Sequence, residues 1–557
     1  MRITSTVLLL ATGALAAGQQ FFDDDPLTSE PAPRKVLNAR PRKLSDYYDV
    51  VINSVATPGD RQPANGVGVR ALNVDTMGEP LEGSWYTRRH YYKTMSLEEL
   101  TAVPGGNPPP DVNGKWRIIA AKTEGVTPGF VITDSSGRRF FVKVDPQSGP
   151  EMATGAEAIS TRLFHALGYH VPSNFLVEID PKQLEVDDSV KYNDPATGRA
   201  RAMTKTDLEE LLWKAPRLES GKYRVTASLA LEGSSLGPFR YYGTRSDDPN
   251  DIYPHEHHRE LRGLHVFCAW LNHDDSRAIN TLDTLVGGDN PYVRHHLIDF
   301  GSTLGSASDR FNSAREGGEY MFGWQHSAVQ LLSLGLVVPE WARAKYPRLL
   351  GVGRFEAARF DPEEWKPQYP NPAFNNRLAD DEFWAAKQVV SFTDEELLAV
   401  VKTAQFSDPR SEEYVFETLC QRRDKIGIAY FTKVLPLDRF HIERGLLHWE
   451  TLGSRYGISI GPLNIQWFRY DNRTAHSAPL GFNGETVPKD VANGYIRAEI
   501  TARARPGQSV NVFVRMRQGA PQVVGLEYEW PESGDVRCEA PMLADGRSTP
   551  QRPAPGR

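Results

Sequence analysis

Cysteine is scarce in this chain of 557 residues, with three thiols, Cys268, Cys420 and Cys538. Three such scattered residues exclude a disulfide framework and a thiolate metal site; one pair can form, leaving one thiol over. An excess of either charge is also missing. Lys and Arg number 64 against 71 Asp and Glu, a net charge of −7. That balance offers phosphate backbones no basic excess, so nucleic acid is not an expected partner. Beyond the first residues no apolar run is long enough to cross a bilayer, and no integral membrane segment is expected. No internal repeat is visible.

What is present begins at the amino terminus. Arg2 precedes an apolar run from Val7 to Ala17 that carries the small-residue site Ala14-Leu15-Ala16. The run is too short to span a membrane and leads straight into the polar, acidic stretch Gln19 to Asp25. It reads as a signal peptide over 1–17, cut near Ala16 to Gly18, rather than a buried helix, and implies a secreted or periplasmic protein. No Cys follows the run, so lipid attachment of the bacterial lipoprotein kind is not expected.

With 40% hydrophobic and 24% charged residues, the chain can bury substantial cores and should divide into more than one domain. Residues 18–115 form a leader and extension, in which the Pro- and charge-rich stretch Asp23 to Arg42 cannot fold alone. A short helical pattern over Ser96 to Thr101 precedes the boundary at Pro104 to Pro110. Residues 116–240 hold strand patterns at Lys115 to Ala121, Gly129 to Thr133, Arg138 to Val144, Phe175 to Ile179 and Arg224 to Leu231. The turn Asp134-Ser135-Ser136-Gly137 makes a hairpin of the second and third. Helical patterns cover Met152 to Leu167, after the third strand, and Lys205 to Trp213. Residues 241–440 are mainly helical, clearest at His258 to Leu271, Ala328 to Leu334 and Thr393 to Thr403. From 441 to 540 the period changes to two, as in Leu463, Ile465, Trp467 and Val510, Val512, Val514, which predicts an antiparallel β-sandwich. Residues 541–557 read as a disordered tail.

The chemistry sits in two stretches, His273-Asp274-Asp275-Ser276-Arg277-Ala278-Ile279-Asn280 and Leu297-Ile298-Asp299-Phe300-Gly301. Their spacing resembles the catalytic loop and DFG turn of protein kinases. That resemblance implies that Asp275 holds the acceptor hydroxyl, Arg277 meets the γ-phosphate, and Asn280 and Asp299 hold Mg²⁺ (or Mn²⁺) on ATP. Upstream, period two in Phe140-Phe141-Val142-Lys143-Val144 lets Lys143 face a cleft as the phosphate-binding lysine. Glu157, on the edge of the following helix's apolar face, is its expected partner, ahead of Glu151.

The pattern departs from the family in three places. No G-x-G-x-x-G is present; Gly125 and Gly129, in Gly125-Val126-Thr127-Pro128-Gly129, stand where the phosphate-covering loop belongs. No A-P-E segment follows the DFG turn. Asp274 replaces the usual loop Arg, which removes the cation that would meet an activation-loop phosphate. Such losses resemble atypical branches: HipA-type kinases, phosphatidylinositol kinases, and the secretory-pathway kinases that act on exported proteins and glycans. By chain order Glu232 and Gly233 fall where a hinge would meet adenine, although Gly233 to Pro238 reads equally as a flexible loop.

Two side readings stand beside this one. The dense histidines His255, His257, His258, His265, His273, His295 and His296 suggest a metal; His257 or His258 with His273-Asp274 and Asp299 is similar to the ligand order of HD-type phosphohydrolases. Against it, the same histidines can cap the helix running to Leu271 or bond acids such as Asp248 and Asp251. The acids Asp247 to Asp251 can bind Ca²⁺ or form a plain turn. The combined expectation is an α+β chain: a two-lobed protein-kinase-like domain, then the β-sandwich. Its activity would be transfer of the γ-phosphoryl group from Mg-ATP to a hydroxyl on a protein, glycan, lipid or small molecule. The alternatives are a pseudokinase binding module or an HD-type phosphohydrolase.

Overall fold

The computed structural model describes residues 19–64, 68–121, 129–193, 197, 199–322 and 338–531. The expected signal peptide, the tail 541–557, the helix expected over 328–334, Gly125 and Cys538 lie outside them. Local signals place the first helices. The Ser45 hydroxyl accepts from the Tyr48 amide at the start of α1 (Asp46–Val55), and a Ser96/Glu99 capping box opens α2 (Leu97–Thr101).

The first sheet grows from a meander of β1 (Trp116–Ala121), β2 (Gly129–Thr133) and β3 (Arg139–Val144). Asp134 closes its hairpin: the side chain accepts from the Ser136 and Arg138 amides, and Gly137 supplies a φ of 80°. After α3 (Met152–Ala166) come β4 (Asn174–Ile179), the short β5 (Leu184–Val186), and the β6–β7 ribbon (Lys191–Asn193 and Ala200–Ala202). Then follow α4 (Lys205–Trp213) and β8 (Tyr223–Leu229). The strand order is β4-β8-β3-β2-β1-β5, antiparallel except for β1 with β5. Five of the six strands match the sequence patterns. β5 is three residues long, too short to show a period. One face buries Trp116, Ile132, Phe140 and Val142 with Leu208 and Leu212 of α4.

β9 (Ser234–Gly237) leaves that sheet and pairs with β10 (Thr281–Val286), itself paired with β11 (Tyr292–Leu297). Below lie α5 (Arg259–Leu271), α6 (Pro372–Asn375), α7 (Ala379–Ser391), α8 (Asp394–Lys402) and α9 (Pro409–Tyr430). α5 is buried all round. It meets α7 so closely that a Cβ at Gly263 would lie 2.4 Å from the Trp384 ring. Buried pairs Arg259–Asp380 (2.7 Å) and Arg262–Asp381 (3.3 Å) fix the register of the two helices.

The terminal β unit is antiparallel, as the alternation predicts. It consists of a ribbon, β12 (Leu437–Glu443) and β13 (Leu446–Thr451), and a sheet of β14 (Leu463–Tyr470), β15 (Ser477–Asn483), β16 (Gly494–Ala502), β17 (Ser509–Arg517) and β18 (Ala520–Glu529). The sheet order is β15-β14-β16-β17-β18. Its inner face, with Ile496, Ile500, Val510 and Val514, shares one continuous core with the ribbon's Leu437 and Leu447 and with α3, α5 and α7. The outer face receives Phe21 among Tyr470, Tyr495 and Phe513. From there the leader runs on as a strap: Val36 is buried with Leu236 and Val293, and the Arg42 amide donates to Leu236 O at 2.7 Å. The leader does not need to fold alone, because it borrows apolar surface from two sheets.

Candidate functional site

Phe140, Val142 and Val144 take the buried side of β3, which leaves Lys143 facing α3. Its ammonium lies 3.1 Å from Glu157 Oε2 and 2.7 Å from Asp299 Oδ1. Burial opposes the charge, but Asp299 and then Glu157 outweigh it and hold the pKa of Lys143 above its ordinary value. Glu157 is 1% exposed. Its Oε1 accepts from Asn174 Nδ2 at 2.8 Å and from the Phe300 amide at 3.2 Å. One carboxylate thus joins β3, β4 and the Asp299-Phe300-Gly301 turn. Glu151 is the αL residue before α3, and its carboxylate bonds the Ser407 amide instead. The helix start is tied to β3 by Asp145, which accepts from Thr154 N and Oγ1 at 2.8 and 2.7 Å.

The second half of the site is built by the β10–β11 hairpin. Its first pair is Thr281 with Leu297, and the Ile298 amide donates to Asn280 O, so Asn280 and Asp299 emerge side by side at the hairpin's base. Asp299 adopts φ 64°, ψ 66°, a left-handed conformation that Asp tolerates better than most residues. Phe300 then stacks on Phe164 of α3 at 4.9 Å. The preceding loop is laced to this turn: Ser302 Oγ donates to Asp275 Oδ2 at 3.1 Å, and His273 Nδ1 lies 3.2 Å from Ser302 O. Asn280 Nδ2 donates to Asp275 O at 2.7 Å, which turns the amide oxygen to the other side. Arg277 bonds the Asp275 carboxylate and reaches both oxygens of Asp46 in α1.

An amide oxygen beside a carboxylate is a hard donor pair, and it fits Mg²⁺ or Mn²⁺ whose other positions go to phosphate and water. Among the described residues no group of three or more His, Cys, Asp and Glu side chains is arranged to hold a metal without such a substrate. Of the two glycines assigned to the phosphates, Gly125 lies outside the described residues. Gly129 pairs with Lys143 across the β2–β3 ladder. Glu232 and Gly233 sit on the crossing from β8 to β9. A Cβ at Gly233, φ 86°, would lie 2.2 Å from Leu285 O, so close approach to β10 requires glycine there.

The histidines are occupied within the fold. His255 bonds Asp251 (2.8 Å), His258 bonds Glu260 (3.0 Å) and His295 bonds Asp283 (2.7 Å), with the Trp85 ring stacked 3.5 Å from that of His295. His257 meets Arg262, and His273 meets a backbone carbonyl. The HD-type ligand set therefore does not converge. Asp248 accepts from the Asn250 amide, while Asp247 and Asp251 bond Arg245, which makes the acidic stretch a turn.

Asp274 has a different use from the Arg it replaces. It is 1% exposed, its Oδ1 accepts from Asn312 Nδ2 at 2.7 Å, and its Oδ2 accepts from Gln368 Nε2 at 3.1 Å. Two segments beyond the DFG turn are thereby tied to the loop. Burial, then repulsion from Asp275 and Glu316, pushes its pKa up to about 7. The native state keeps this proton where the unfolded chain has lost it. The resulting stability is full below the ordinary value of 3.8 and is lost as pH rises through about 7. Asp274→Asn should flatten that loss, by up to about 4 kcal/mol at 1.36 kcal/mol per unit. Urea midpoints of both proteins from pH 4 to 8 measure it; parallel curves would show that Asp274 titrates normally.

No family model and no curated protein matches the chain. Among solved structures it is similar to a crystal structure of the Golgi casein kinase with Mn/ADP bound. The TM-score is 0.27 at 10% identity, over 59% of this chain and 72% of that one. A second crystal structure of the Golgi casein kinase gives 0.28 and 9%, over 59% and 71%. Likenesses this slight leave the reading of the site to its own residues.

Proposed function

We propose that this protein transfers the γ-phosphoryl group of Mg-ATP to a hydroxyl acceptor. The observation that carries the reading is the position of Lys143, bonded at once to Glu157 and to Asp299, with Asn280 and the Asp275 loop leading into the hairpin that ends just before Asp299. Lys143 holds the nucleotide phosphates, and Glu157 aims it. Mg²⁺, when bound to Asn280 and Asp299, neutralises the phosphate oxygens. Asp275 accepts the acceptor's hydroxyl proton as the new O–P bond forms and the bond to the ADP oxygen breaks. Arg277, bonded to Asp275, brings positive charge toward the transferred group, Gly129 leaves room above it, and the Glu232–Gly233 crossing runs beside the base.

The export expected from Arg2 to Ala17 belongs to this proposal: the mature protein should begin near Gly18, which N-terminal sequencing of the exported fraction checks. Wild type should bind Mg-ATP by calorimetry and transfer labelled γ-phosphate to at least one of a panel of proteins, glycans, lipids and small polyols. Nucleotide binding with no transfer would make the protein a binding module. No binding with any divalent metal would end the reading.

A further inference from the structure

α1 has its polarity inverted. A surface helix normally buries an apolar stripe, yet the residues of α1 that are buried are Asp49 and Asn53. Four of its apolar side chains face outward, Tyr47 at 81% and Val55 at 80% exposure among them, and Val50 and Ile52 are only partly covered. Apolar burial therefore contributes little to holding this helix where it lies. Its polar contacts hold it, and they lead to the loop that carries Asp275. Asp46 accepts two hydrogen bonds from Arg277, at 2.9 and 2.8 Å. One turn on, Asp49 accepts from the Tyr369 hydroxyl at 2.6 Å and from Asn53 Nδ2 at 3.0 Å. Residues i and i+3 share a helix face, so both carboxylates point the same way, and both gain from standing in the first turn, where the helix dipole favours negative charge. Between α1, the loop, Tyr241, Tyr242 and residues 369–372 only about 10 Å³ of space is left.

We propose that the amino-terminal extension completes the transfer site, with Asp46 as a positioning residue that acts through Arg277. This rests on the reading of the loop as the site of phosphoryl transfer. Arg277 has two carboxylate partners, Asp275 and Asp46. Without Asp46 the guanidinium has Asp275 as its one anionic partner and is free to swing about it. With Asp46 the Arg277 fork is held from outside the loop, and Asp275 stays at the angle that its bond from Ser302 sets. Displacing a reacting group by about 1 Å can cost 10²-fold in rate, so a helix that touches neither nucleotide nor acceptor can control turnover.

The test is Asp46→Asn in the full-length protein. Asp46 is partly exposed, and a pair of that kind contributes little to global stability, so the variant should fold. Turnover should fall about 10-fold to 100-fold at unchanged KM for ATP, Asp46→Glu should recover part of it, and in an Arg277→Ala background Asp46→Asn should cost nothing further. Unchanged or increased turnover overturns the proposal, an increase marking the Asp46–Arg277 contact as a brake. Hydrogen exchange supplies a reading independent of activity. Amides from His273 to Thr281 should exchange faster in Asp46→Asn, and equal rates overturn the positioning role even if wild type transfers nothing. Failure of wild type to bind Mg-ATP would instead strike the function proposed above.

Discussion

Lys143→Ala abolishes Mg-ATP binding, an expected loss of 10²-fold or more in affinity. The ammonium is the cation that two strands and the DFG turn converge on, and a buried, hydrogen-bonded charge pair is worth about 2–5 kcal/mol when one partner is cut away. The same change leaves Glu157 buried with two neutral donors, Asn174 and the Phe300 amide. An uncompensated buried charge costs about 3–5 kcal/mol of stability, so the variant's fold must be checked by circular dichroism. Asp299→Ala keeps the test clean, because Asp299 is more open than Glu157, with 28% of its side chain exposed against 2%. It should lose the Mg²⁺-dependent part of nucleotide affinity while His257→Ala binds as wild type does. Titration with ATP, with and without Mg²⁺, reads all three; a folded Lys143→Ala protein with wild-type affinity would remove Lys143 from the site.

Asp275→Asn separates binding from chemistry. Asn is nearly the same shape, can still accept from Ser302 Oγ, and leaves the Asp275 backbone carbonyl free to hold Asn280. What it cannot do is take a proton from the acceptor, and a positioned general base contributes about 10²- to 10⁴-fold. Affinity for Mg-ATP should therefore hold within about twofold while single-turnover transfer falls by 10²-fold or more. A variant that transfers at the wild-type rate would show that Asp275 is not the base.

Much of the first sheet and α3 is legible because local chemistry dictates it. The alternation through Val142-Lys143-Val144 fixes which way Lys143 points, and Asp134-Ser135-Ser136-Gly137 is a turn whatever surrounds it. Helical spacing brings Glu157 to the same side. Asn280 and Asp299 are legible only as spacings, since their closeness depends on hairpin register. Asp46 carries no signal at all: it meets Arg277 across 231 positions, and nothing near it in sequence marks it. Asn174 is equally silent, a strand residue whose amide matters only because Glu157 lies behind it. The histidines mislead for a related reason. Their density suggests a metal, but each partner, from Asp251 to Asp283, is supplied by the fold. Why residue 233 must be glycine is not legible either, since a sequence does not show that a neighbouring strand passes within touching distance.

The anchoring of Phe21 has a consequence in time. Its amide bonds Asn472 across 451 positions, and Arg515 donates to Phe22 O across 493. The earliest described residues thus dock on strands that a ribosome makes more than 400 residues later. A chain that stops short of β17 cannot seat them, and contacts that distant in sequence form slowly. Until β17 emerges, Phe21 and Tyr470 lack their common partner, Phe513. The leader therefore seats only after β17 has been made, and while it waits those aromatic surfaces are open to aggregation.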